Sequence, residues 1–191
     1  MMVLHAELAS QAGTAGDRSL LQRLPYAYRL ELERRDAPAR SASLAALRLL
    51  AQGVQRLQGV PLDVSRLHVP EGGKAFLDGG PSFSISHSAQ RAAVAISEHG
   101  DLGLDIEDLG THGMDRTRLE RWTAIEATLK ALGAGLRRAH EVQLSPDLSI
   151  AELGGVVVHT RPLELSPGCV ARLATREPVR NVMIERVEDR G

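Results

Sequence analysis

Asp105, Ile106 and Glu107 form a short run in which two carboxylates stand two residues apart. On an extended strand, side chains two apart project from the same face, so both carboxylates point one way while Ile106 turns into the core. Two such charges repel unless a cation lies between them, and oxygen ligands of this kind suit Mg²⁺. A solvated acidic strand face shows the same pattern, so the pair gains meaning only beside a third ligand. Trp122, Glu126 and Lys130 follow at steps of four, which puts all three on one face of a helix. Glu126 can then supply the third carboxylate, with Lys130 one turn beyond it. The same spacing also describes a surface Glu–Lys pair worth about 0.2–0.5 kcal/mol, with Trp122 anchoring the helix. Asp108 adds charge but projects from the opposite face if the strand continues.

Two further groups could meet an anion. Ser86, His87 and Ser88 put a histidine between two hydroxyls, which can contact phosphate oxygens or bond the local backbone of a turn. Gly72, Gly73 and Lys74 make a flexible turn that presents one ammonium, and upstream Arg40 and Arg48 lie two helical turns apart. A lysine and a few arginines around a divalent ion are what a diphosphate needs. No Gly-x-Ser-x-Gly elbow and no Gly-rich loop ending in Lys-Ser or Lys-Thr is present, which argues against a serine hydrolase and a P-loop.

These groups must be held by helices and strands. Leu44, Leu47, Leu49, Leu50 and Val54 fall near helical spacing after Pro38, with Gly53 and Gly59 weakening the far end. Phe83, Ile85, Val94 and Ile96 alternate with small or polar residues, predicting two strands around Ser86-His87-Ser88, and Leu102 to Ile106 predicts a third. In the second half, a helix from about Arg116 to Leu132 stops at Gly133 and Gly135. Val156 to Arg161 and Val170 to Ala174 read as paired strands around Ser166-Pro167-Gly168, and Val182 to Val187 as a last strand. Helix followed by antiparallel strands, twice over, predicts an α+β protein of two similar lobes, residues 1–97 and 98–191. Ala9 to Asp17 and Glu188 to Gly191, small or polar, are expected to be loose.

Composition narrows the function classes. The formal net charge of -1 argues against a general nucleic-acid binder, so any anionic ligand must be held by a local cluster. Aromatics make up only 3%, which leaves the core to Leu, Val, Ile and Ala. Cys169 is the only cysteine, which excludes an internal disulfide and a cysteine-rich zinc site and suits a reducing compartment. No signal peptide and no apolar run long enough to span a bilayer is read, so a cytoplasmic protein without membrane association is expected.

Taken in order, the pieces resemble the Sfp-type phosphopantetheinyl transferases. The matching stretches are Gly73-Lys74-Ala75-Phe76, Phe83-Ser84-Ile85-Ser86-His87-Ser88, Gly103-Leu104-Asp105-Ile106-Glu107, Trp122 through Lys130, and Gly133-Ala134-Gly135-Leu136. The clear part spans residues 72–136. The resemblance implies two pseudo-symmetric lobes, each a helix with a small antiparallel sheet, with coenzyme A in the cleft. It implies that Asp105, Glu107 and Glu126 hold Mg²⁺, and that Arg40, Gly73, Lys74, Ser86 and His87 contact coenzyme A. It further implies that Glu126 and Lys130 are catalytic, in transfer of phosphopantetheine to a serine of an apo acyl or peptidyl carrier protein. A two-lobe enzyme of this kind works as a monomer. Three positions depart from the family pattern: Ile125 stands where a lysine is usual, the 108–121 connector is short, and Ala89 replaces a glycine. A diverged relative that binds coenzyme A without efficient transfer is the alternative that Ile125 motivates. A plain interaction domain, its charges only surface decoration, is a third reading and predicts no coenzyme A binding.

Overall fold

The computed structural model describes residues 1–8, 15–70, 73–110 and 113–188. Gly72 of the expected glycine turn lies outside the described residues, as do 9–14 and 189–191 of the two ends expected to be loose. Ala15 to Asp17 instead open a helix.

The first half begins with strand β1 (Met2–Glu7), followed by helices α1 (Ala15–Arg23), α2 (Tyr26–Arg34) and α3 (Ala37–Gln58). Asp36 caps α3 by accepting from the Ala39 amide at 2.8 Å, and the chain leaves the helix at Gly59 with φ 74°. Short strands β2 (Leu67–His68) and β3 (Phe76–Leu77) pair with each other. Then come β4 (Ser82–His87) and β5 (Arg91–Ser97), an antiparallel pair with Ser86 and His87 at the end of β4. β6 (Leu102–Asp108) leads to α4 (Arg116–Ala131), which Asp115 caps through the Arg118 amide. The remainder is β7 (Gln143–Leu144), β8 (Ile150–Leu153), β9 (Val156–Leu163), β10 (Cys169–Thr175) and β11 (Met183–Arg186).

The strands form two main sheets, ordered β11-β1-β5-β4 and β6-β10-β9-β8-β7. This is an α+β architecture with one long helix on each sheet. Two features differ from the expectation. The last strand lies not in the second sheet but in the first, and it runs parallel to β1, so the first sheet is mixed rather than antiparallel.

Alternation along the strands explains the layering. On β5, Ala92, Val94 and Ile96 pack with α3, whereas Ala93 and Ala95 join Val3 in a second cluster with Leu102, Leu104, Ile106, Ala171 and Leu173. That second cluster glues the two sheets face to face, and α3 and α4 lie on the outside. β4 and β6 are the facing edges of the two sheets. They are joined by serine hydroxyls: Ser84 Oγ accepts from the Leu104 amide at 2.9 Å and Ser86 Oγ from the Ile106 amide at 3.2 Å. Lys74 Nζ donates to the Leu102 carbonyl at 2.7 Å, so the buried edge of β6 finds partners without a main-chain ladder. Farther along, Asp108 on β6 meets Arg91 of β5, which also reaches Ser166 Oγ at 2.8 Å.

The other face of β6 carries Gly103, Asp105 and Glu107 under α4. A Cβ at Gly103 would lie 1.9 Å from the Ala127 carbonyl oxygen and 2.4 Å from the Ala131 nitrogen, so the helix backbone rests directly on the strand. Gly103→Ala is therefore expected to destabilise the fold by about 3 kcal/mol, the upper end for overpacking a core. Urea unfolding checks this, and a loss below about 1 kcal/mol would mean that α4 does not sit so close.

Candidate functional site

A cleft of about 1170 Å³ follows the β4–β6 seam between α3 and α4. Its acidic wall is built by two elements. β6 supplies Asp105 and Glu107, and α4 supplies Glu126; single carboxylate oxygens of the three lie within 4.8 Å of one another. Asp105 is 2 % exposed. Its Oδ1 accepts from Lys130 Nζ at 2.6 Å and from Ser86 Oγ at 2.9 Å. Its Oδ2 is buried and has no hydrogen-bond partner among the described residues. A buried carboxylate oxygen without a partner is costly in a native protein. Together with two neighbouring carboxylates, it fits a small, hard divalent cation with oxygen ligands.

Electrostatics in the cluster follow from that crowding. Burial, then the negative charges of Asp105 and Glu107, push Glu126 up to about 7; Lys130 and a hydrogen bond from Trp122 pull it partly back. Lys130 Nζ also stands 3.8 Å from Glu126 Oε2, so this ammonium answers two of the three acids at once. The helical spacing of Trp122, Glu126 and Lys130 thus has consequences beyond a surface pair: the lysine turns onto the strand.

The opposite wall carries Arg35, Lys74 and a neutral histidine. His87 on β4 and Ser43 on α3 meet at 3.3 Å between Nε2 and Oγ, and Arg35 donates to the same Ser43 oxygen at 2.8 Å. Burial, then the charges of Arg35 and Lys130, hold His87 below its usual value, so the ring is neutral at pH 7. Gly73 and Lys74 line the cleft as well, and burial depresses Lys74 despite the nearby Asp101. Arg40, expected at coenzyme A, is placed elsewhere. It reaches the Glu33 carbonyl at 3.4 Å and does not line the cleft, whereas Arg35 and Tyr28 do. Arg48, suggested beside it, is paired with Asp17. Ser86 is in the cleft, but its hydroxyl serves Asp105, the Ile106 amide and Lys130.

At the far end, Gly133 (φ 62°) closes α4, with the Ala134 amide donating back to the Leu129 carbonyl at 2.8 Å. That turn brings Gly133 to Arg138 along the cleft, including the exposed Leu136. A smaller groove of about 530 Å³ lies where α4 begins, against the β9–β10 turn, and holds none of these groups. Cys169 borders that groove, and burial pushes its thiol up to about 11, which suits a packing role. Among the described residues, no helix is long and apolar enough to cross a membrane. No protein-family model matches the chain, and no curated protein matches it.

Proposed function

We propose that this protein is a Mg²⁺-dependent transferase of the Sfp type, moving phosphopantetheine from coenzyme A to a serine of an apo acyl or peptidyl carrier protein. One observation carries the reading: motifs scattered from Gly73 to Gly135 line a single cleft, with three carboxylates facing Lys74, His87 and Arg35. A cleft with carboxylates on one wall and Arg35 and Lys74 on the other suits a diphosphate that arrives with a divalent ion.

Asp105, Glu107 and Glu126 would hold Mg²⁺, which when bound withdraws charge from the diphosphate. The remaining work falls to side chains of the protein. Lys74, His87 and Arg35 bind phosphate oxygens and orient the donor. The carrier serine oxygen attacks the β-phosphorus, a new O–P bond forms, and the bond from that phosphorus to the bridging oxygen breaks. Adenosine 3′,5′-bisphosphate leaves with the bridging oxygen. Glu126 accepts the serine proton as the general base. Lys130 balances the negative charge that accumulates on the phosphoryl oxygens.

A second reading has its own observation. Ile125, where the family has a lysine, is half-buried and does not line the cleft, so the chain lacks one cation beside Glu126. That favours a relative that binds coenzyme A but transfers slowly or not at all. Intact-mass spectrometry of several apo carrier proteins, incubated with the protein, coenzyme A and Mg²⁺, separates the two. A gain of one phosphopantetheine that EDTA abolishes is expected. Coenzyme A binding without any gain would favour the second reading, and no binding at all would sink both.

A further inference from the structure

We propose that Ser86 is a positioning residue for the acidic cluster: it fixes Asp105 so that one oxygen is used inside the protein and the other is left for a divalent cation. The inference rests on reading Asp105, Glu107 and Glu126 as a cation site, and not on the transfer reaction.

A serine hydroxyl has one proton to give and two lone pairs to share. In Ser86 all three are committed. The proton goes to Asp105 Oδ1 at 2.9 Å, while the lone pairs take the Ile106 amide at 3.2 Å and Lys130 Nζ at 3.1 Å. These partners belong to β6 and α4, whereas Ser86 belongs to β4 of the other sheet. The hydroxyl cannot turn without losing a bond to one of them, so the Asp105 carboxylate is held in one orientation. That orientation leaves Oδ2 buried and without a hydrogen-bond partner among the described residues, on a carboxylate that shares its cluster with Glu107 and Glu126. Ligand carboxylates in metal sites are commonly held by such outer hydrogen bonds. Here the outer partner comes from the opposite sheet, so the seam between the lobes and the affinity of the site are linked through one oxygen.

Ser84 is a comparison built into the fold. It lies two residues earlier on the same face and bonds the Leu104 amide at 2.9 Å, the same seam contact that Ser86 makes to Ile106. Its hydroxyl touches no carboxylate among the hydrogen bonds of the described residues. Ser84→Ala and Ser86→Ala therefore remove equivalent seam bonds, but only the second frees Asp105.

The test is Mn²⁺ binding to the coenzyme A-free protein, followed by electron paramagnetic resonance and calorimetry. Ser86→Ala is expected to weaken Mn²⁺ binding by about 10- to 100-fold, the usual effect of removing an outer-shell partner. Ser84→Ala is expected to leave the affinity unchanged while lowering the unfolding midpoint. If Ser86→Ala does not fold, Ser86→Cys keeps the volume, loses most of the hydrogen-bond strength, and carries the same expectation. Equal weakening in the Ser84 and Ser86 variants, or wild-type affinity without the Ser86 hydroxyl, would overturn the proposal. A wild-type protein that binds no Mn²⁺ would sink the cation site and this inference together. Mn²⁺ binding that depends on Ser86, in a protein that modifies no carrier, would leave the inference standing and remove the transferase reading.

Discussion

Asp105→Asn is expected to abolish Mg²⁺-dependent carrier modification while leaving the protein folded. Asparagine keeps an oxygen that can accept from Ser86 and Lys130, so the buried bonds that tie β4, β6 and α4 survive. What it removes is the charge on the second position, a buried oxygen with no hydrogen-bond partner among the described residues. Changing an outer-shell partner typically costs 10- to 100-fold in metal affinity, so losing a ligand should lower turnover by more than about a hundredfold. Asp105→Ala should lose activity as completely, with an added stability cost, because Lys130 then loses the carboxylate 2.6 Å away. The check is initial rate of carrier modification together with the Mg²⁺-induced shift in melting temperature. Wild-type turnover in Asp105→Asn would refute the metal assignment.

Glu126→Gln should separate stability from activity in opposite directions. The carboxyl sits at about 7 in the folded protein against 4.5 for the free side chain, so folding disfavours its charged form. A raised carboxyl contributes most stability below pH 4.5 and loses it as pH climbs through 7. Glutamine carries no such charge. In EDTA at pH 8 the variant is expected to be more stable by about 2 kcal/mol, or roughly 4–8 °C in melting temperature for a chain of this size. Well below pH 4.5 the difference should vanish, since Glu126 is then neutral in both the folded and the unfolded chain. Transfer should fall by at least about a hundredfold, because the proton acceptor and a cation ligand go together. Lower stability in the variant at pH 8 would show that Glu126 is held charged in the folded protein. Functional clusters of like charge commonly sacrifice stability in this way.

The elements that carry the site were the ones most legible in the sequence, because periodicity and caps mark them. Asp36 and Asp115 stand where α3 and α4 begin, and Gly133 where α4 ends. The alternation of Gly103, Asp105 and Glu107 against Leu102, Leu104 and Ile106 predicted which face would carry the acids. Gly53 was read as weakening α3, yet the helix continues to Gln58. A Cβ at Gly53 would fall 2.0 Å from the Ile96 side chain, so this glycine serves close packing rather than termination. β1 was not legible, since Val3, Leu4, His5 and Ala6 are all buried and a strand covered on both faces shows no alternation. Arg40 was expected at coenzyme A, whereas Arg35, which was not singled out, lines the cleft. Both lie near the start of α3, and only the packing of α2 against α3 decides which guanidinium reaches the cleft. Ser86 was expected at a phosphate; that its hydroxyl is committed to Asp105 depends on a contact between two sheets, which local spacing does not encode.

The parallel pairing of β11 with β1 has a consequence for the order in which the molecule is assembled. Met2 lies opposite Met183, and the Val187 amide donates to the His5 carbonyl at 2.8 Å. Three strands of the first sheet are therefore made early, and the fourth arrives only after the whole second sheet has left the ribosome. Contacts of such long sequence separation close slowly, since the loop entropy must be met before they form. β11 is also held lightly: Met183 and Ile184 are exposed, and its ion pairs, Arg56–Glu185 and Arg186–Glu7, lie at the surface. Surface pairs of this kind add little. The strand that completes the first sheet is thus expected to dock last and fray first, and its amides should exchange with solvent ahead of those in β5, which lies between β1 and β4.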